Sequence, residues 1–194
     1  MKSIKNNYAY VLKSIKKDRS LQPKLKSLNG LTYVVAGGTR GIGYNIAKNL
    51  ALQGANISLL GKTTVKHSKL DGTIHSAAED ICKLTNSSNC IGIPCDVRDS
   101  SQIDSAIEET VNSFGKIDGT ILNASALCLN PTLQQTQKEI DLMSSVNING
   151  TFIVGQKCLK YIKDSKHGSV LIIAPPIDML NTDDWWLNHL YYSM

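Results

Sequence analysis

Five short apolar runs, each separated from the next by a stretch with helical spacing, constrain this chain more than any other feature. "LTYVVAG", "ANISLL", "CIGIP", "GTILNAS" and "SVLIIAP" are of strand length, rich in β-branched and aliphatic residues, and lack a regular polar face. Strands of that kind must be covered on both sides, and parallel neighbours need a crossover of a dozen residues or more. The intervening segments meet that need. Apolar residues recur at helical spacing in Ile42, Ile46, Ala47, Leu50 and Ala51, in Ile74, Ala77, Ala78 and Ile81, and in Ile103, Ala106, Ile107, Val111 and Phe114. A further helical region is predicted from about Gln137 to Lys163, and Asp99 or Ser100 is placed to cap the helix that follows it. The expectation is an α/β fold with a doubly wound parallel sheet and right-handed crossovers.

Composition adds bounds. The 194 residues suit one domain with enough apolar content for a core, and no stretch approaches the ~20 apolar residues of a membrane span. Cys82, Cys90, Cys95, Cys128 and Cys158 are odd in number, lack CxxC spacing and fall mostly in apolar segments, as expected of reduced, buried thiols. The net charge of +5 is uneven: the first 30 residues carry seven lysines and Arg19 against Asp18, leaving the remainder at −2. Basicity therefore belongs to the leader and gives no reason to expect a nucleic-acid enzyme. The division is a basic extension over residues 1–27 and a domain over residues 28–194. Within the extension, Ile4, Tyr8, Val11 or Leu12, and Ile15 recur at helical spacing among lysines. A mitochondrial targeting segment and an ordinary basic surface helix both fit, with mitochondrion preferred over peroxisome or cytoplasm.

Between the first strand and the first helix stands "AGGTRGIG". Residues without Cβ let a backbone turn sharply and approach a pyrophosphate, while the uncapped amides of a helix N-terminus favour its negative charge. The motif's position inside a βαβ pattern is the context that gives it meaning and points to a Rossmann-type nucleotide-binding sheet. At the end of the second strand, "SLLGKTT" offers Lys62 and no carboxylate, and Arg40 lies inside the glycine turn. Two cations near a ribose suit a 2′-phosphate, so NADP is expected over NAD. A solvated loop lysine is the plainer reading of Lys62. His67, His75, His167 and His189 show no metal-ligand spacing.

With "GGTRGIG", the stretches "CDVRD", "LNAS" and "SVNINGTF" resemble the short-chain dehydrogenase/reductase family, from about Leu28 to the last residue. "GKTTVKHSKLDGTIHSAAEDI", "NASA" and "APPIDM" are similar to its hydroxysteroid dehydrogenase-like subgroup. The resemblance implies that Gly37, Gly41 and Gly43, with Thr39, Arg40 and Ile42 in the same turn, surround the cofactor pyrophosphate. It places Asp96 and Val97 beside the adenine and Asn123 and Ala124 in the family's Asn-Asn-Ala-Gly signature, from which Leu122 and Ser125 depart. Ala36 stands for the family's threonine. Asn147 matches the asparagine that helps to hold a proton-relay water, and Tyr192 the catalytic tyrosine, with Tyr191 its rival. The partnering lysine falls at position 196, beyond the last residue, and the active-site serine is Ala174.

These matches imply a sheet incomplete at the C-terminus, with about five of seven strands, whose fifth strand needs a protein partner or a second copy to cover it. They also leave two functions open. One is an NADP-dependent oxidoreductase of alcohols or ketones, inactive in the chain as it stands. The other is a catalytically silent structural or cofactor-sensing subunit, which Ala174 and Ala36 favour.

Overall fold

The computed structural model describes residues 27–66 and 72–174. The leader, His67, and the segment holding Trp185, Trp186, His189, Tyr191 and Tyr192 lie outside them. The described elements are β1 (Thr32–Ala36), α1 (Gly41–Leu52), β2 (Asn56–Gly61), α2 (Ile74–Thr85), β3 (Cys90–Pro94), α3 (Ser100–Phe114), β4 (Gly119–Leu122), α4 (Gln137–Met143), α5 (Thr151–Ile162) and β5 (Ser169–Ile172). A short 3-10 turn, Thr132–Gln134, precedes α4, and a π-helical segment, Ser144–Gly150, joins α4 to α5.

All pairings are parallel and the strand order is β3-β2-β1-β4-β5. This is the Rossmann arrangement anticipated from the strand-helix alternation. Alternate residues of each central strand feed opposite cores because strand side chains alternate. Val34, Leu60 and Leu122 pack with Ile103, Ile107, Val154 and Cys158 on the face covered by α3 and α5. Val35, Leu59 and Ile121 pack with Ala47, Ala51, Ile74 and Ile81 beneath α1 and α2. The small residues of α1 allow it to sit close on the sheet.

Capping differs among the helices. Thr73 and Thr136 form capping boxes with Ser76 and Glu139, and Asp99 caps α3 through the amides of Ser101 and Gln102. At the start of α1, Arg40 is extended and its side chain makes no capping bond to the first turn. The predicted long helix near Gln137–Lys163 is helical along most of its length, but the π-helical segment interrupts its regular spacing. At that interruption Gly150 meets Val97: a Cβ on Gly150 would lie 2.8 Å from Val97 Cγ2 and 2.9 Å from its carbonyl oxygen.

At the opposite end of the sheet, buried Asp118 links three elements. Its carboxylate accepts hydrogen bonds from the Thr32 amide (2.9 Å) and Ser165 Oγ (2.6 Å) and pairs with Lys116 Nζ at 3.0 Å. Burial alone would raise its pKa, but the bonds from Ser165, Thr32 and Lys116 together outweigh it and hold the carboxyl below its ordinary value. The five cysteines are free thiols. Burial, chiefly, pushes Cys95 up to about 11 and Cys158 up to about 12, so both are neutral and unreactive near pH 7. β5 lies at one edge, with Val170, Leu171 and Ile172 exposed.

Candidate functional site

Strand register gathers the site. Ala36 pairs with Leu60 and Leu122, Gly61 with Pro94, and Leu122 with Ile172, so the loops leaving all five strands emerge along one edge. Between β1 and β4 the chain reverses its direction of sheet growth, and a crevice opens outside the strand ends there. A cleft of about 390 Å³ occupies that place.

Three backbone approaches build its floor. Gly37 has φ +79°, and a Cβ there would lie 2.7 Å from the Ala124 nitrogen, so the turn after β1 and the loop after β4 touch directly. Asn123 Nδ2 donates to the Gly37 carbonyl at 3.0 Å and locks the two together. Gly43, in the first turn of α1, completes the clasp, since a Cβ on it would stand 2.3 Å from that same carbonyl. The glycine turn thus holds the start of α1, with its uncapped amides and positive dipole end, over the crevice.

Gly37, Thr39, Arg40, Lys62, Asp96, Val97, Asn123 and Ala124 all line this one cleft, although they leave four different strands. Gly41, Ile42 and Gly43 lie in the adjoining helical turn rather than on the wall, and the Ile42 side chain is 61% exposed. Asn147 is positioned by the π-helical segment, where Oδ1 accepts from the Ala126 amide (2.8 Å) and Nδ2 donates to the Ala126 carbonyl (3.0 Å). This side chain therefore anchors the loop after β4, keeping one spare lone pair and one spare N–H. Ala174 is exposed just beyond β5, and Tyr192 lies outside the described residues.

Electrostatics separate the two ends of the cleft. Arg40 reaches the Gly72 carbonyl through Nη2 at 3.5 Å, while its Nε is buried without a hydrogen-bond partner among the described residues. An orphaned guanidinium N–H beside an uncapped helix terminus is the donor set an anion requires, so the residues present fit a phosphorylated dinucleotide. Gly61 ends β2 on the cleft wall and leaves no carboxylate there. A Cβ there would come within 2.4 Å of Thr39 Oγ1 and 3.1 Å of Ile74 Cδ1. Farther along, Asp96 is held below its usual pKa first by hydrogen bonds from the Arg98 side chain, against the opposing effect of burial, with Lys62 adding a small pull.

Several participants have no clear signature in the sequence. Gly61, Thr63, Ser125, Ala126 and Val146 line the cleft from within the quoted stretches, which assigned them no part in it, and Leu142 lines it from outside every one of them. Among the described residues, no cluster could hold a metal ion and no helix is long and apolar enough to cross a membrane.

Comparison with known proteins gives a consistent picture. The family profile described as short chain dehydrogenase matches residues 32–177. Hydroxysteroid dehydrogenase-like protein 2 of Mus musculus is 41% identical over 174 residues, covering 89% of this chain and 34% of the relative. The Homo sapiens protein of the same name is 40% identical, covering 89% of this chain and 40% of its own length. The chain thus spans between about a third and two-fifths of these relatives. A solved short-chain dehydrogenase from Mycobacterium thermoresistibile superposes with TM-score 0.78 and 37% identity, over 87% of this chain and 58% of that one.

Proposed function

The chain belongs to the short-chain dehydrogenase family, and on that premise we propose that it is an NADP-dependent oxidoreductase acting on an alcohol or ketone by hydride transfer. The observation that carries this reading is the cationic sugar end of the cleft. Arg40 has an unpartnered buried Nε, Lys62 lies alongside, and Gly61 leaves no carboxylate to repel a 2′-phosphate. When bound, the cofactor would give hydride from its nicotinamide C4 to a ketone in the reduced form, or take it there from an alcohol in the oxidised form.

The chain's own residues divide the remaining work. The glycine turn and the first-turn amides of α1 hold the diphosphate, and Arg40 and Lys62 hold the 2′-phosphate. Asp96 and Val97 flank the adenine, and Asn123 and Ala124 fix the floor beneath the dinucleotide. Asn147 positions the loop through Ala126 and retains the spare valences to hold a water. Tyr192 exchanges the proton at the substrate oxygen, which requires its phenol, ordinarily near pKa 10, to be stabilised in ionised form.

Ala174 favours a second reading. It stands where the family places a serine and has no hydroxyl to hold a reacting oxygen, which supports a cofactor-binding subunit with little or no turnover. The exposed apolar residues of β5 support coverage by a protein partner or second copy. The basic leader supports mitochondrial delivery, which imaging of a fusion with and without residues 1–27 tests.

Calorimetric titration separates the main readings. NADPH should bind more tightly than NADH, and Arg40→Ala with Lys62→Ala should narrow the gap. Equal affinities before mutation refute the cation assignment. Binding without turnover of alcohols or ketones, relieved by Ala174→Ser, supports the silent-subunit reading. NADP-dependent turnover abolished by Tyr192→Phe supports the enzyme.

A further inference from the structure

Arg40 and Tyr44 stand four residues apart at the start of α1, and the Tyr44 amide donates to the Arg40 carbonyl at 3.4 Å. Both side chains turn towards α2. Arg40 Nη2 meets the Gly72 carbonyl at 3.5 Å, just ahead of the Thr73 cap, and Tyr44 Oη donates to Asp80 Oδ2 farther along the same helix. The Tyr44 ring is half-buried against the core that holds Ala47, Ile74 and Ile81. Burial first, and then the bond to Asp80, pushes its phenol up to about 12, so the donated hydrogen stays in place at neutral pH.

The helix on the receiving side is itself anchored. Thr73 and Ser76 form its capping box, and the Ile74 amide donates to the Thr63 carbonyl at 2.8 Å, which ties the start of α2 to the segment leaving β2. Gly43, next to Tyr44, faces elsewhere. It meets the Gly37 carbonyl and Asn123 on the β4 side, and that clasp holds the turn whose amides are offered to a diphosphate. The first turn of α1 is thus held twice, towards β4 at Gly43 and towards α2 at Tyr44. The contact from Arg40 to Gly72 is longer than an ordinary hydrogen bond and adds little restraint of its own. Where the guanidinium points therefore depends on the separation of α1 from α2.

We propose that Tyr44, through its bond to Asp80, is a positioning residue for selection of the 2′-phosphate: it holds the first turn of α1 against α2 at the separation that aims the Arg40 guanidinium into the cleft. This rests on the NADP reading above. The diphosphate is common to NADP and NAD and lies on the clasp side, so loss of the Tyr44 bond falls on the phosphorylated cofactor.

Calorimetric titration of the full chain with NADPH and with NADH tests this. Tyr44→Phe keeps the packing of the ring and removes the donor. It should weaken NADPH about three- to tenfold, the range for one hydrogen bond, and NADH by less than about twofold, so that the ratio narrows. Asp80→Ala should match it, whereas Asp80→Asn keeps an acceptor and should retain most of the preference. In an Arg40→Ala background Tyr44→Phe should cost nothing further, because the two act through one guanidinium. Equal losses for both nucleotides in Tyr44→Phe would assign a merely structural role and overturn the proposal. A Tyr44→Phe loss that persists in full without Arg40 would overturn it too. A wild-type preference for NADPH that is narrowed by Arg40→Ala but untouched by Tyr44→Phe and Asp80→Ala would leave the NADP reading standing and refute only the role of Tyr44. Equal wild-type affinities, or binding of neither nucleotide, would refute the NADP reading and this proposal with it.

Discussion

Gly43→Ala should damage both the fold and the site, and the size of the effect follows from one close approach. The added Cβ would begin 2.3 Å from the Gly37 carbonyl oxygen and 2.7 Å from Asn123 Nδ2. Reaching an ordinary contact of 3.4 Å from the carbonyl requires a movement of 3.4 − 2.3, about 1.1 Å, between two backbone segments. No flexible side chain can absorb it. Overpacking of this kind costs about 1–3 kcal/mol. Loss of the Asn123 bond to the same carbonyl adds about 1 kcal/mol. A total of about 2–4 kcal/mol lowers the midpoint of thermal unfolding by roughly 4–16 °C for a chain of this size.

Gly41→Ala supplies the control. At φ +61° it carries the left-handed backbone cost of about 1–2 kcal/mol. Among the described residues, apart from its chain neighbours and the backbone of its own helix, none comes within 4 Å of the new Cβ, so the clasp stays intact. Its effect should fall on NADPH affinity, because under the proposed function that Cβ stands where the backbone approaches the diphosphate. Differential scanning fluorimetry and calorimetric titration of the two variants check the separation. A Gly43→Ala protein melting within 2 °C of wild type, or a Gly41→Ala protein losing as much stability as Gly43→Ala, would refute the packing explanation of the turn.

Three further outcomes are expected. Asp118→Ala leaves the fully buried Thr32 amide without its acceptor and should destabilise the fold by about 2–4 kcal/mol in urea titration, the range for a broken buried charge network. Because the folded-state pKa of Asp118 is depressed, its contribution is present above the unfolded value near 3.8 and is lost as pH falls through the folded value. Asp118→Asn should therefore flatten the acid limb of stability below about pH 4. Gly150→Ala must push against Val97, whose side chain and carbonyl are both under 3 Å from the new Cβ, and should weaken NADPH binding by about tenfold while Gly155→Ala, meeting only Leu122 Cδ1 at 3.2 Å, has less effect in the same titration.

The sequence alone determined the elements that depend on local pattern. Apolar runs and 3.6-residue stripes are read within a dozen residues, which is why the five strands and the helices between them could be placed closely, and why "AGGTRGIG" could be assigned to a strand-helix turn. Tertiary structure decided what those elements do together. The order β3-β2-β1-β4-β5 puts Gly37 against Ala124, and the bonds from Asn123 to Gly37 and from the Thr32 amide to Asp118 each join residues 86 positions apart. No local period encodes such a pairing. Helical spacing also concealed the π-helical segment, because its signal is a change in backbone hydrogen bonding that aims Asn147 at Ala126 and seats Gly150 on Val97. Arg98 lay in plain view within "CDVRD", but its bond to Asp96 and its position outside the cleft depend on side-chain direction, which sequence spacing does not specify.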